Sequence, residues 1–194
     1  MDKYNASNDH YCYPSTGVLK NKLNITSADA LEVAEKEITA FKLQDIEYAP
    51  APYDMRRLQV IHRALFSELY DWAGSIRNVD ISKGDTRFCT NGRIEAEANL
   101  FFAALANDGW LRNLDRETFC EKLAMHYCEL NMIHPFREGN GRVQRILFEQ
   151  LALGAGYELD WADVGSQEWI SANIEGVAIG HHAMTEVFKR VVRP

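Results

Sequence analysis

Long hydrophobic runs are missing from this sequence: no apolar segment approaches the length of a membrane span, and the N-terminus has no secretory hydrophobic region. Basic residues are not in excess, since 21 lysines and arginines stand against 28 acidic residues and the net charge is −7. Direct binding to nucleic acid through a broad basic patch is therefore not expected. The four cysteines, Cys12, Cys89, Cys120 and Cys128, form no CxxC pair and no metal-ligand spacing. This favours reduced thiols in a cytoplasmic protein.

Other familiar signatures are also missing. The chain has no GxxxxGK[ST] phosphate loop, and Gly154-Ala-Gly156 lacks the strand and the further glycine of a dinucleotide fingerprint. It has no internal repeat and no low-complexity segment. With 194 residues, of which 46% are hydrophobic and 25% charged, the sequence predicts one ordinary globular domain.

Apolar residues at helical spacing, interrupted by turn residues, predict an all-α bundle with one short β-hairpin. Residues 1 to about 16 are expected to be irregular, and Thr26-Ser-Ala-Asp29 is typical of a helix start. Val79 and Ile81 precede a Lys83-Gly84-Asp85 turn, which predicts the hairpin. The predicted helices carry apolar stripes over residues 31–41, 55–69, 94–106, 116–133, 143–151 and 169–191.

Residues 134–145 read His-Pro-Phe-Arg-Glu-Gly-Asn-Gly-Arg-Val-Gln-Arg, and their chemistry suits a nucleoside triphosphate. Two glycines around an asparagine leave backbone N–H groups uncovered, and a helix that starts there adds a partial positive charge. A phosphate is favoured at such a helix end. Arg142 and Arg145, three residues apart, share a helix face and can grip a polyphosphate bidentately.

Two further side chains of this run supply chemistry beyond phosphate binding. Glu138 offers one carboxylate, and Mg²⁺ is typically held by one or two carboxylates together with substrate phosphates. An unperturbed histidine titrates at about pH 6.5, so His134 is a usable general base near neutrality. The run therefore predicts an enzyme that transfers a phosphate-bearing group.

The run from His134 to Arg145 resembles the signature of Fic-domain proteins at every position that the signature specifies. The resemblance extends upstream. The opening helix and loop of that family resemble residues 61–66, 70–74 and 76–77, and its flap resembles residues 80–88. The resemblance covers about residues 55–192. Residues 1–54 are then an N-terminal extension with one helix packed on the core, and the implied fold is a Fic-type helical bundle with a β-hairpin flap.

The resemblance also implies an activity. A Fic enzyme transfers AMP from ATP to a Tyr, Ser or Thr hydroxyl of a target protein, with Mg²⁺, and releases pyrophosphate. His134 would deprotonate the hydroxyl, and Glu138 would hold the metal ion. Arg142 would contact the β-phosphate and Arg145 the γ-phosphate, while residues 139–141 would cradle the α- and β-phosphates. The residues expected to contact the nucleotide are Lys83, Asn131, Met132, Ile133, His134, Gly139, Asn140, Gly141, Arg142, Val143, Gln144 and Arg145.

Partners follow from the same resemblance. The flap, about residues 79–90, would bind a segment of the target protein by strand addition. Fic enzymes are commonly held inactive by a glutamate in a Ser/Thr-x-x-x-Glu-Gly/Asn motif, and residues 171–176 match it with Glu175. We interpret this match as a coincidence within a core helix, so a separate small antitoxin is the expected source of the glutamate. The short chain most resembles the toxins of such pairs, whose targets include gyrase and topoisomerase IV.

Three other functions stay open at this point. Some Fic-type enzymes transfer phosphate, UMP or phosphocholine, although the intact Gly141-Arg142 pair favours AMP. A metal-dependent hydrolase would use His134 and Glu138 as ligands, but one imidazole and one carboxylate make a poor metal site. A helical interaction module with a vestigial nucleotide site would bind partners without any transfer.

Overall fold

The structure is a computed structural model that describes residue 4 and residues 9–194. In this part of the chain, seven α-helices and two antiparallel pairs of two-residue strands make up the fold. The helices are α1 (Ala28–Lys42), α2 (Met55–Phe66), α3 (Ile94–Asn107), α4 (Arg116–Ile133), α5 (Asn140–Ala155), α6 (Ser166–Ala178) and α7 (His182–Val191). The strands are β1 (Ser82–Lys83), which pairs with β2 (Thr86–Arg87), and β3 (Glu158–Leu159), which pairs with β4 (Val192–Arg193).

Side-chain caps explain where three of the helices begin. Ser27 caps α1, Asp54 caps α2 and Asp115 caps α4, each by accepting a hydrogen bond from a backbone N–H of the first turn. Such caps satisfy donors that have no partner inside the helix. The cap of α1 confirms the helix start predicted around residues 26–29.

Helix α4 lies at the centre of the bundle and packs against α3, α5, α6 and α7. Its buried side chains include Phe119, Leu123 and Tyr127, each at most 1% exposed. Because neighbours cover α4 on several sides, the end of this helix is a fixed point of the fold. The motif residue His134 follows immediately after it.

One local prediction is wrong, and one pair of strands was not predicted. Helix α2 ends at Phe66 rather than running to Leu69. The N–H of Leu69 bonds to the Phe66 carbonyl at 3.0 Å, which makes a tight turn that buries Leu69 outside the helix. The strand pair β3–β4 was not predicted, because two residues per strand are too few to show an alternating pattern.

The N-terminal segment is only partly described. Residues 9–16 form turns, and Cys12 makes a single bridge with Leu19; the rest of the predicted irregular stretch, residues 1–3 and 5–8, lies outside the described residues. Helix α1 packs against α2, while the predicted boundary between residues 54 and 55 stays a prediction. None of the helices in the described ranges is long and apolar enough to cross a membrane.

Candidate active site

Residues 134–139, which we call the motif loop, join the end of α4 to the start of α5. Asn140 closes this loop on itself: its side-chain oxygen accepts from Phe136 N at 2.8 Å, and its side-chain nitrogen donates to Phe136 O at 2.7 Å. The ring of Phe136 is fully buried. The side chain of Asn140 therefore shapes the loop, and a phosphate would meet the backbone of this residue.

Glycine is required at position 139, immediately before α5. Gly139 has φ +80°, and a Cβ there would collide with the ring of Phe66. The preceding carbonyl, that of Glu138, accepts a hydrogen bond from His62 Nε2 at 3.0 Å, while His62 Nδ1 accepts from Gly74 N at 2.8 Å. The helix α2 thus fixes the point at which the backbone turns into α5.

His134 has the geometry of a neutral general base. It caps α4 in a left-handed conformation with φ 46°, which is uncommon for a non-glycine residue and is often found at functional sites. Its Nδ1 lies 2.9 Å from the Asn131 carbonyl; because a carbonyl can only accept, Nδ1 carries the proton and Nε2 keeps its lone pair. Burial lowers the pKa of His134 to about 3, so the imidazole is neutral at physiological pH.

Two aromatic residues enclose the imidazole. The Tyr4 hydroxyl lies 2.8 Å from His134 Nε2 and donates to it, and the ring of Phe88 stacks on the imidazole with 3.8 Å between ring centroids. His134 is consequently only 6% exposed. Phe88 belongs to the predicted flap, so the flap and the predicted base His134 are in direct contact.

Arg77 joins the flap to the end of α4. Its guanidinium is 2% exposed and donates to four backbone carbonyls. These carbonyls belong to His134 (2.8 Å), Val79 (2.6 Å), Cys89 (2.5 Å) and Ile133 (3.4 Å). Because these acceptors come from both sides of the site, Arg77 fixes the distance between the base of the flap and His134.

The two arginines predicted to bind phosphates differ in their surroundings. The guanidinium of Arg142 bonds to Glu35 Oε1 at 2.5 Å and to Thr39 Oγ1 at 3.1 Å, both on α1. Tyr70 donates to the other oxygen of Glu35 at 2.5 Å. Arg145 is half-buried one turn later; the described residues give it no direct ion pair, although the carboxylate of Glu149 on the same helix lies near enough to interact with its charge.

Glu138 is the predicted ligand of a divalent cation. Its side chain is 9% exposed and lies at the start of α5, where Oε1 accepts from Gly139 N at 2.9 Å. The described residues contain no group of three His, Cys, Asp or Glu side chains that could bind a metal by themselves. A single carboxylate is the donor set expected of Mg²⁺ that keeps waters and substrate phosphates as its other ligands.

The other predicted nucleotide contacts fall into three groups. Met132 and Ile133 line a cavity of about 650 Å³ between α3, α4 and the flap. Lys83 and Gly141 are exposed, and the carbonyl of Asn131 accepts from His134. Val143 and Gln144 are buried. The backbone N–H of Val143 donates to the Gly139 carbonyl at 3.1 Å and the side chain of Gln144 donates to the Tyr127 carbonyl, so the structure turns neither group toward a nucleotide.

The match to the inhibitory motif lies elsewhere. Glu175, on α6, lines a cavity with Glu117, Glu121 and His181, and no residue of the motif loop lines it. Gly176 lies where a Cβ would press against the sulfur of Cys128 on α4. Close packing of α6 on α4 therefore gives the glycine of this motif a structural role, and the interpretation of the match as a coincidence stays a prediction.

Five residues of the site were missed by sequence reasoning: Tyr4, Glu35, Thr39, His62 and Arg77. Tyr4 and Glu35 lie 130 and 107 residues from their partners His134 and Arg142. They fall outside the predicted motif, and nothing in their local sequence marks them as functional. His62 and Arg77 do lie in the segments that carry the family resemblance, and a buried polar side chain there was the available signal.

A neutral histidine, one carboxylate and two arginines near a helix start are the set of groups expected for the transfer of phosphate-bearing groups. The family model described as Fic/DOC matches residues 52–152, and the chain belongs to this family. The probable protein adenylyltransferase Fic of Escherichia coli (strain K12) is 42% identical over 98% of this chain and 96% of that protein. The protein adenylyltransferase VbhT of Bartonella schoenbuchensis is 38% identical over 98% of this chain, which spans 40% of that protein. These relatives confirm the predicted enzyme class, protein adenylyltransferase.

Solved structures agree with this assignment. The Fic domain of Bep8 from Bartonella sp. 1-1C is 28% identical with a TM-score of 0.88, over 95% of this chain and 94% of that chain. BepC from Bartonella tribocorum, with bound AMPPNP, is 26% identical with a TM-score of 0.87, over 95% and 96% of the two chains. The predicted fold class, a Fic-type helical bundle with a short hairpin, is confirmed.

Proposed function

We propose that this chain uses Mg²⁺ and transfers AMP from ATP to a Tyr, Ser or Thr hydroxyl of a target protein. The observation that carries this proposal is the hydrogen bond between His134 Nε2 and a tyrosine hydroxyl. It places a neutral imidazole where it can remove a proton from an incoming hydroxyl. Nucleotide-bound relatives, such as the Fic domain from Bartonella quintana with bound ADP, add support.

The residues of the site divide the reaction between them. His134 takes the hydroxyl proton as the hydroxyl oxygen attacks the α-phosphorus, and the bond from that phosphorus to the bridging oxygen breaks. Pyrophosphate leaves with the bonding electrons. Glu138 would hold the Mg²⁺ that neutralises phosphate charge, while Arg142 and Arg145 stabilise the negative charge on the β- and γ-phosphates.

The cavity beside the flap is the proposed nucleoside pocket. Its volume of about 650 Å³ lies within the range of small-molecule sites. Leu100, Phe101 and Met132 give it apolar walls, and Glu97 and Glu129 supply hydrogen-bond acceptors at its rim. Cys89 and Ile133 of this cavity are close neighbours of the flap residue Phe88 and the base His134, so a nucleoside there lies beside the reacting groups.

The flap is the proposed docking site for the target. Strands β1 and β2 are two residues long, and neither side of the hairpin pairs with another strand in the described part of the chain. An unpaired strand edge can accept an extended peptide by backbone hydrogen bonds. The stacking of Phe88 on His134 would then bring the docked hydroxyl toward the base.

Inhibition by a separate antitoxin is proposed for the same site, with gyrase or topoisomerase IV as the toxin's target. The resemblance of the chain to such toxins supports this reading. Arg145 is half-buried and has only the carboxylate of Glu149, on its own helix, as a nearby acidic group among those that the structure describes, so an antitoxin glutamate would have to compete with that carboxylate. Glu175→Gly should therefore leave AMP transfer within about twofold of wild type, since a change away from a functional contact has little effect. Measuring transfer rates of both proteins tests this, and strong activation would mean that the chain inhibits itself.

The test of the proposed function uses α-³²P-labelled ATP, Mg²⁺ and a bacterial lysate, with wild-type protein and the His134→Ala variant. A labelled lysate band that requires His134 is expected, with a loss of at least about a hundredfold in the variant, the lower end of general-base contributions. A band seen with γ-labelled but not α-labelled ATP would make the chain a kinase. Partner binding without any label would make it an interaction module.

A further inference from the structure

The hydroxyl that meets the catalytic base belongs to this chain itself. Tyr4 donates to His134 Nε2 at 2.8 Å, and Nδ1 of the same ring is already engaged with the Asn131 carbonyl. No other hydroxyl in the described ranges bonds to either nitrogen of His134. Tyr4 thus occupies the position on the base that a target hydroxyl must take.

The side chain of Tyr4 is buried and packed against several neighbours. Tyr4 is 8% exposed, its ring meets Phe88 edge-on at 6.1 Å, and the guanidinium of Arg137 lies 5.8 Å from its centroid. Burial raises the pKa of its phenol, and the nearby charge of Glu138 raises it further, while the Asn140 side chain acts in the opposite direction. The phenol therefore stays protonated and lies close to Glu138 and the first residue of α5.

These neighbours place the phenol of Tyr4 between the proposed base and the proposed phosphate-binding end of α5. On one side is the lone pair of His134, and on the other is the start of α5, where the phosphates are expected. A nucleophile needs both contacts at once, a base for its proton and an α-phosphorus within reach. Tyr4 has the first contact, and its position beside Glu138 and Asn140 provides for the second.

We propose that Tyr4 is an acceptor of AMP within its own chain, an inference that rests on the proposed AMP transfer. The Tyr4 oxygen forms a bond to the α-phosphorus of ATP as the bond from that phosphorus to the bridging oxygen breaks. Pyrophosphate leaves with the electron pair, and the phenol proton passes to His134 Nε2 and then to solvent. The product is a tyrosyl-AMP ester at position 4.

Self-modification and target modification then compete for one base. A target hydroxyl must displace the hydrogen bond from Tyr4 before it can reach Nε2. One net hydrogen bond corresponds to a factor of about two to ten in an equilibrium. Tyr4→Phe, which removes the hydroxyl and keeps the ring, should therefore raise labelling of a target protein by about two- to tenfold.

The deciding experiment incubates the purified full chain with ATP and Mg²⁺ and locates the modification by intact mass and peptide mapping. The proteins are wild type, Tyr4→Phe, His134→Ala and Tyr11→Phe. Tyr11 is the matched control, because it is a buried tyrosine of the same segment whose ring packs on Trp72 instead of the base. Wild type and Tyr11→Phe should gain one AMP at residue 4, and the other two variants should gain none.

Transfer within one chain has its own kinetic signature. The labelling rate per molecule should not change when the protein is diluted tenfold, and active protein should not label Tyr4 of added His134→Ala protein. Transfer between two copies would give the opposite result in both measurements, and it would overturn the assignment of Tyr4 as an acceptor in its own chain.

Labelling of a bacterial lysate by the same protein preparation tests this inference separately from the proposed function. If the same preparation labels a lysate protein through His134 and leaves Tyr4 unmodified, the inference is wrong and AMP transfer stands. AMP found at another residue of the chain also overturns it. If folded protein, checked by circular dichroism, transfers AMP neither to itself nor to any lysate protein, both proposals fail.

Discussion

The motif loop and the flap hairpin, β1 and β2 with their turn, lie on either side of His134, yet the molecule holds them in different ways. All six residues of the motif loop are buried, whereas none of the residues 82–87 is. Side chains from distant parts of the chain hold the loop, among them Tyr4, His62 and Arg77. The hairpin is tied to the fold mainly through its base, where Cys89 N donates to the Met132 carbonyl at 3.0 Å.

The difference in burial fits the different tasks proposed for the motif loop and the hairpin. Groups that perform chemistry gain from being fixed before the substrate arrives, because a rigid site does not have to reorganise during the reaction. A hairpin that receives a partner strand needs an exposed edge instead. Substitutions in the loop should consequently cost stability as well as activity, and substitutions at the flap tip should change activity alone.

The largest effect is expected from Arg77, which connects the two regions. Arg77→Met removes a buried cation that serves four carbonyls, and each charged hydrogen bond contributes about 1.5 to 3 kcal/mol. We expect the free energy of unfolding to fall by roughly 3 kcal/mol or more, measured by urea denaturation. Since the flap base then loses its fixed distance to His134, AMP transfer should also fall.

Arg87→Met is the control for that experiment. Arg87 lies in the hairpin, its side chain is 69% exposed, and it pairs with Asp80 at 3.2 Å. Exposed ion pairs of this kind contribute between about 0 and 1 kcal/mol. Equal stability losses for Arg77→Met and Arg87→Met would contradict the difference between the two regions.

Acid should destabilise the motif loop through two buried histidines, His134 within the loop and His62 of α2, which bonds to the Glu138 carbonyl. Burial lowers the pKa values of His62 and His134 to about 3 each, well below the ordinary value of about 6.5. Their stabilising contribution is therefore complete above pH 6.5 and is lost as the pH falls toward 3, because the unfolded chain binds those protons first. At pH 4.5 each histidine should cost roughly 2 to 3 kcal/mol.

Urea denaturation at pH 7 and pH 4.5 measures this loss. His62→Gln should reduce the difference between the two pH values by about the contribution of one histidine, whatever its effect on stability at pH 7. His182→Gln, at an exposed position, should leave the difference unchanged. An unaltered pH dependence in His62→Gln would rule out His62 as a source of the acid sensitivity.

Substitutions of the two arginines of α5 should affect nucleotide binding and protein stability differently. Arg145→Ala should weaken ATP binding by roughly tenfold and ADP binding by much less, because only ATP carries the γ-phosphate that Arg145 is proposed to contact. Arg142→Ala should weaken the binding of both nucleotides. It should also lower stability, since it leaves the carboxylate of Glu35 buried without its cation.

Calorimetric titration of each variant with ATP and ADP measures these differences. An Arg145→Ala variant that loses equal affinity for both nucleotides would show that the γ-phosphate assignment is wrong. An Arg142→Ala variant with unchanged stability would mean that Glu35 and Thr39 of α1 do not depend on this arginine.

The enzyme class could be predicted from the sequence, because the residues that indicate it are twelve consecutive ones, 134–145; the roles given to the individual residues stay predictions. The N-terminal cap at Ser27 and the span of α4 were predictable for the same reason, since caps and apolar spacing are local signals. The partners that hold the site were not. Arg77 lies 57 residues before His134 and Glu35 lies 107 residues before Arg142, and only the packed structure brings these pairs together.

The flap tip should give the smallest effect. Lys83 is exposed on β1, and no ion pair holds it within the part of the chain that the structure describes. Lys83→Ala should change the free energy of unfolding by less than about 0.5 kcal/mol, as surface substitutions do. If its ammonium contacts the nucleotide or the docked target, AMP transfer should still fall, by less than about tenfold.

Asp85→Ala is the matched change at the tip of the same turn, where the side chain is also exposed. It tests whether a lower rate of AMP transfer in Lys83→Ala reflects the loss of the positive charge or a disturbed hairpin. Transfer rates measured at two salt concentrations distinguish these cases, because an exposed charge contact weakens as salt screens it. A loss of transfer that is shared by both variants and insensitive to salt would show that the flap tip acts through its backbone, as strand addition by a target requires.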